Sequence, residues 1–101
     1  MHIVFNKIID KQEAQIKAFE RKRAEMLEAV QATEREILQQ HYCDYQDAPL
    51  HVLKIIMKLR EDYERLWSSD GILINELTRR QWNQRQRILD EMKSQKGKYN
   101  R

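Results

Sequence analysis

The chain has 101 residues, of which 35% are charged and only two are Gly and one is Pro. This length allows one domain, over residues 1–101, and the composition is typical of long helices rather than of sheets. Asn6, Lys7, Asp10 and Lys11 interrupt the apolar N-terminal segment, which argues against a signal peptide or a membrane span.

The first part of the chain predicts one helix over residues 3–40, without Gly or Pro between Phe5 and Tyr42. Ten positions alternate in spacing between four and three, which is the heptad pattern of coiled coils. We call them the seam: Phe5, Ile9, Gln12, Ile16, Phe19, Arg23, Met26, Val30, Thr33 and Ile37. A helix this long cannot cover its own apolar side, so we expect the rest of the chain or a second copy to pack on it.

Three seam positions are polar, namely Gln12, Arg23 and Thr33. One interpretation is that they fix the register and the partner of the helix, as single polar residues do in coiled coils. The other is that Arg23 lies at the edge of the interface, with its aliphatic stem packed and its guanidinium in water.

Residues 41–48 predict a turn, with Asp47 or Ala48 capping the next helix and Pro49 in its first turn. The turn also holds several residue types that can bind metals: His41, Cys43, Asp44, Asp47 and His51. Their spacing matches no strong zinc pattern. Nucleophilic catalysis by Cys43 and a histidine would need a third group to orient the base, a pocket and an oxyanion hole, which a thin helical bundle rarely supplies. We therefore expect no catalytic residue, no metal and no cofactor, and we expect that the protein is not an enzyme.

A second helix is predicted over residues 49–67, with Trp67 as a core anchor. Its expected inward residues are Val52, Leu53, Ile55, Ile56, Leu59, Tyr63 and Leu66. Residues 68–71, Ser-Ser-Asp-Gly, are poor helix formers and favour a break. The alternative is a continuous helix, because the heptad phase survives Gly71 and reaches Leu73 and Leu77.

The third helix is predicted over residues 72–96, followed by a frayed basic tail at 97–101. Its apolar stripe fails between Leu77 and Ile88. Residues 49–101 carry twelve basic and seven acidic side chains, against seven and nine in residues 1–48. The predicted fold is all-α and coiled-coil-like: a long N-terminal helix packed antiparallel against one broken or two shorter helices, as a helical hairpin or three-helix bundle.

The gap in the stripe contains the candidate binding residues, which are Arg79, Arg80, Trp82, Arg85 and Arg87. Arg and Trp are enriched at protein-binding hot spots, and four arginines suit an acidic partner surface. We therefore expect a protein-binding module, such as an adaptor, a regulator, an assembly or export accessory factor, or an inhibitor of a larger complex. The outline looks like the small helical export accessory proteins of flagella and type III secretion.

The alternative function is binding of nucleic acid, RNA in particular. The composition of residues 78–87 is similar to the arginine-rich RNA-binding helices of phage antiterminators, although a net charge of +3 is small for that function. A third possibility is a dimerising scaffold, in which acidic residues of the first helix balance the arginines. We expect a homodimer, and the single cysteine, Cys43, favours a reducing compartment and a cytoplasmic location.

Overall fold

The computed structural model describes residues 2–99, and their side chains from residue 3 to residue 94. It contains the helices α1 (His2–Gln40), α2 (Leu50–Trp67) and α3 (Ile72–Tyr99), and a short 3-10 helix at Tyr45–Asp47. No strand is present between residues 2 and 99, and the predicted all-α fold is confirmed. α3 continues to Tyr99, three residues beyond its predicted end at residue 96. The rest of the basic tail lies outside the described residues.

α2 and α3 follow one another along α1 and run antiparallel to it. Contacts between the helices show this, because the residue numbers decrease along α1 while they increase along α2 and α3. The pairs are Glu34 with Arg60, Arg23 with Tyr63, Phe19 with Trp67, and Gln15 with Gln81. The result is a two-layer hairpin of 77 × 19 × 14 Å. Its radius of gyration is 21.9 Å, compared with about 13 Å for a compact domain of this length.

The seam faces inward along most of α1, since all of its residues except Thr33 are buried or half-buried. The core is thin, because Val52 and Ile56 on α2 are the only fully buried apolar side chains of the described chain. Trp67 stacks on Phe19 with ring centroids 5.4 Å apart, as expected of a core anchor. The inward orientation predicted for Ile55 is wrong, because its side chain is 47% exposed.

α2 ends at Trp67 and α3 begins at Ile72, so the structure has the break rather than the continuous helix. The chain turns tightly here, with the Gly71 N–H donating to the Ser68 carbonyl at 2.9 Å. Gly71 itself is buried. A Cβ at this position would lie 2.9 Å from the Arg65 carbonyl oxygen and 3.0 Å from the Leu66 carbonyl oxygen. Glycine is therefore required for close approach of two backbone segments.

We expect Gly71→Ala to destabilise the protein by about 1–2 kcal/mol, because the new methyl group meets backbone atoms that cannot rotate away. Urea unfolding followed by circular dichroism measures the effect. Ser69→Ala is the matched control, since Ser69 is exposed in the same turn and should change stability by less than about 0.5 kcal/mol. An unchanged or raised stability of Gly71→Ala would show that the break is not set by this contact.

The turn between α1 and α2 differs from the prediction in its caps. Asp47 does not cap α2. Its carboxylate instead accepts a hydrogen bond from the Asp44 N–H at 3.0 Å, within the 3-10 turn. Pro49 occupies the N-cap position, and its carbonyl oxygen accepts hydrogen bonds from the N–H groups of Val52 and Leu53 in the first turn of α2. The missing N–H of Pro49 costs nothing at this position.

Candidate protein-binding surface on α3

A layer of glutamines joins α3 to α1 where the apolar stripe fails. The Gln81 side-chain amide donates to the Gln12 backbone carbonyl, and the Gln12 amide donates to the Gln81 backbone carbonyl, both at 3.0 Å. The same two amides also donate to Gln84 Oε1 at 2.9 Å and to Gln15 Oε1 at 3.0 Å. Gln12 and Gln81 are only 5% and 7% exposed. The layer therefore satisfies its buried polar atoms internally.

This layer fixes the register of α3 on α1. A shift of one residue would break four side-chain hydrogen bonds together and leave buried amides without partners, which costs about 1–3 kcal/mol for each group. The structure thus favours the register interpretation for Gln12. Arg23 is half-buried, in agreement with the edge interpretation. Thr33 is exposed, and its hydroxyl donates to the Ala29 carbonyl in its own helix.

The five predicted binding residues lie on two different sides of α3. Trp82 is 56% exposed and follows the buried Gln81 directly. Arg79 and Arg85 are each three residues from Trp82, so they flank it on one side of the helix. Arg80 and Arg87 are seven residues apart and share the opposite side. Arg85 is half-buried, whereas the other three arginines are exposed.

The arginines of α3 are largely free of acidic partners. Arg80 lies 3.9 Å from Glu76 in its own helix. Within the described side chains, no carboxylate lies within 4.0 Å of Arg79, Arg85 or Arg87. The acidic residues of α1 do not balance these arginines through ion pairs in the described part of the chain.

Glu34 of α1 pairs instead with Arg60 of α2, through two hydrogen bonds of 2.7 and 3.2 Å. Hydrogen bonding to Glu34 raises the pKa of Arg60 above its ordinary value. The same guanidinium lies 4.9 Å from the centre of the Tyr45 ring, so it also ties the turn to the hairpin. No local sequence pattern predicts this cluster, because Glu34 and Arg60 are 26 residues apart.

Charge divides the hairpin into two ends of opposite sign. The contact between Arg23 and Tyr63 marks the middle. Residues 25–64, which form the turn end, carry nine acidic and four basic side chains. Residues 2–24 and 65–99, at the open end, carry fourteen basic and seven acidic side chains. The candidate site therefore belongs to a basic end, and the opposite end of the same molecule is acidic.

The polar residues of the turn lie close together without forming a metal-binding cluster among the described residues. The rings of His41 and His51 meet edge to face at 5.5 Å, and Cys43 is half-buried. Among the described residues, no group of three or more His, Cys, Asp or Glu side chains is placed to hold a metal ion.

A comparison with protein-family models, with curated proteins and with solved structures finds no match for this chain. None of the helices between residues 2 and 99 combines the length and the apolar character needed to cross a bilayer.

Proposed function

We propose that the protein is a non-enzymatic binding module that uses the basic surface of α3 to hold an acidic surface of another protein molecule. The observation that carries the proposal is the exposed indole of Trp82 between two arginines, Arg79 and Arg85, without an acidic partner among the described side chains. An exposed Trp flanked by Arg is the composition of a binding hot spot.

The thin hairpin supports this function, because it presents α3 on a rigid frame rather than as a flexible basic tail. The glutamine layer holds the inner side of α3 against α1 directly behind Trp82. Little ordering entropy is then lost when a partner binds, which favours affinity. An adaptor, an assembly or export accessory factor, a regulator and an inhibitor of a larger complex all fit this design. A cytoplasmic location fits the single cysteine.

The test is an affinity capture from a nuclease-treated lysate of the native host, with wild type beside Trp82→Ala and Arg79/Arg80/Arg85/Arg87→Ala. We expect both variants to lose the captured protein, and Trp82→Ala to weaken its affinity at least about 30-fold, as a hot-spot residue does. The matched control replaces four exposed lysines of α1 by alanine and changes the net charge equally: Lys7, Lys11, Lys17 and Lys22.

Identical capture by all four proteins would contradict the proposal. RNA is the other outcome of this test. A single-stranded RNA oligonucleotide that binds with a steep loss of affinity as salt rises would assign the arginines to phosphates instead. A protein contact centred on Trp82 depends more on the indole than on ionic strength.

A further inference from the structure

Three exposed apolar side chains lie on the same side of the hairpin. Leu27, Met57 and Trp82 are 40%, 52% and 56% exposed. Each follows an inward-facing residue by one position, in the order Met26, Ile56 and Gln81. In a right-handed helix, each residue points about 100° away from the residue before it. Because the two layers run antiparallel, the residue that follows an inward-facing residue points to the same side of the hairpin in both layers. We call this side the lateral face.

A groove opens on the lateral face at the turn end, between α1 and α2. Its volume is about 340 Å³. It is lined by the ion pair of Glu34 and Arg60 and by Leu27, Val30, Gln31, Tyr63 and Glu64. The apolar floor and polar rim suit an aromatic side chain with a polar edge, such as an indole.

The groove and Trp82 are placed symmetrically along the rod. The glutamine layer puts Trp82 at the level of Gln12 on α1, and the groove lies at the level of Val30. Halfway between them is Arg21, which is also the central residue of α1. A two-fold axis at this level would place each Trp82 over the groove of the other copy, with the two rods overlapping along their full length.

Charge favours the same arrangement. An antiparallel pair sets the basic open end of each copy beside the acidic turn end of the other, whereas a parallel pair sets like charges together. Surface charges are screened within about 8–10 Å at physiological salt, so the basic and acidic ends of one 77 Å molecule do not attract each other. A second copy in side contact brings opposite charges within this distance.

The chain exposes more surface than a compact protein of the same mass, which favours a partner that covers part of it. The accessible surface is 8365 Å², whereas a compact protein of 12.4 kDa exposes about 6,100 Å². The excess of about 2,200 Å² is more than twice the roughly 800 Å² that each partner buries in a standard interface.

From these observations we infer that the acidic surface bound by the α3 site is the turn end of a second copy of this chain, in an antiparallel homodimer through the lateral face. The inference rests on the proposed function, because it assigns an occupant to the same site. Each dimer then contains two equal contacts, with Trp82 of one copy in the groove beside Leu27 of its partner.

Sedimentation equilibrium of the full chain over a range of concentrations tests the dimer. We expect wild type to pass from monomer to dimer, and Trp82→Ala and Leu27→Glu each to raise the dissociation constant at least tenfold. Ile55→Glu is the control, because Ile55 is similarly exposed but lies on the other side of α2, and it should leave the constant unchanged. Circular dichroism verifies that each variant is folded.

Cysteine cross-linking tests the orientation. In a Cys43→Ser background, we expect a disulfide only when Gln31→Cys is mixed with Gln86→Cys, since an antiparallel dimer brings these positions together. Two copies of residue 31 would be about 30 Å apart, at 1.5 Å per residue. Disulfides in either single variant alone, or a dimer that Trp82→Ala leaves intact, would overturn the inference.

A wild type that stays monomeric at every concentration would overturn it as well. The proposed function would still stand in that case if the capture experiment yielded a different protein whose binding requires Trp82.

Discussion

Ile56→Ala should lower the free energy of unfolding by about 2–5 kcal/mol. Ile56 is 0% exposed, and with Val52 it is all that the described chain has of a fully buried apolar core. Removing three carbon atoms there leaves a cavity, and a two-layer hairpin has no third layer whose side chains could move in to fill it. Because total stabilities of small domains are about 5–15 kcal/mol, the loss is a large part of the whole.

Urea unfolding at a fixed chain concentration measures this loss. Ile55→Ala is the matched control, with the same side chain one position earlier and 47% exposed, and it should cost less than about 1 kcal/mol. Equal costs for the two variants would mean that α2 does not pack on α1 through Val52 and Ile56.

Because Gln12 and Gln81 bond to each other's helices, we expect the effects of replacing them on the free energy of unfolding to be non-additive. Gln81→Leu and Gln12→Leu should each destabilise the protein by about 1–3 kcal/mol, because each removes two hydrogen bonds and sets a leucine against the remaining buried amide. The double variant should be more stable than either single variant, since two leucines restore an apolar seam.

A double-mutant cycle by urea unfolding measures the coupling, which we expect at about 0.5–3 kcal/mol. Gln39→Leu, on an exposed position of α1, is the control and should change stability by less than about 0.5 kcal/mol. Strictly additive costs would show that the two glutamines do not act as one layer.

Helix positions were predictable because the seam and the break depend on local chemistry. The predicted helix over residues 3–40 and the observed His2–Gln40 differ by one residue, since good helix formers fill the segment and low helix formers follow it. The break at residues 68–71 was predictable for the same reason. Gly71 adds the close backbone contact, which only the folded chain reveals.

Thr33 shows where the heptad pattern fails. A straight helix has 3.6 residues per turn, so a strict heptad row drifts by about 20° at each repeat. The row of residues seven apart that runs from Phe5 to Thr33 has left the interface at Thr33, whereas Ile37 of the other row is still half-buried. Glu34 has replaced Thr33, with a side chain only 13% exposed, and it is Glu34 that reaches Arg60.

For the candidate site, the sequence indicates the residue types, and helix geometry divides them between two sides of α3. The five residues do not form one face, because the rotation of about 100° per residue places Arg80 and Arg87 on the side of α3 away from Trp82. The role of Gln81 could not be read locally, because its partners, Gln12 and Gln15, lie 69 and 66 residues away.

Acrylamide quenching measures whether the indole of Trp82 becomes covered on binding. The measurement uses a Trp67→Phe variant, in which Trp82 is the single indole. In dilute solution we expect strong quenching, since Trp82 is 56% exposed. As the concentration of the chain rises, or when a captured protein is added, quenching should fall and the emission should shift to shorter wavelength. An indole that stays equally accessible under both conditions would contradict a binding surface centred on Trp82.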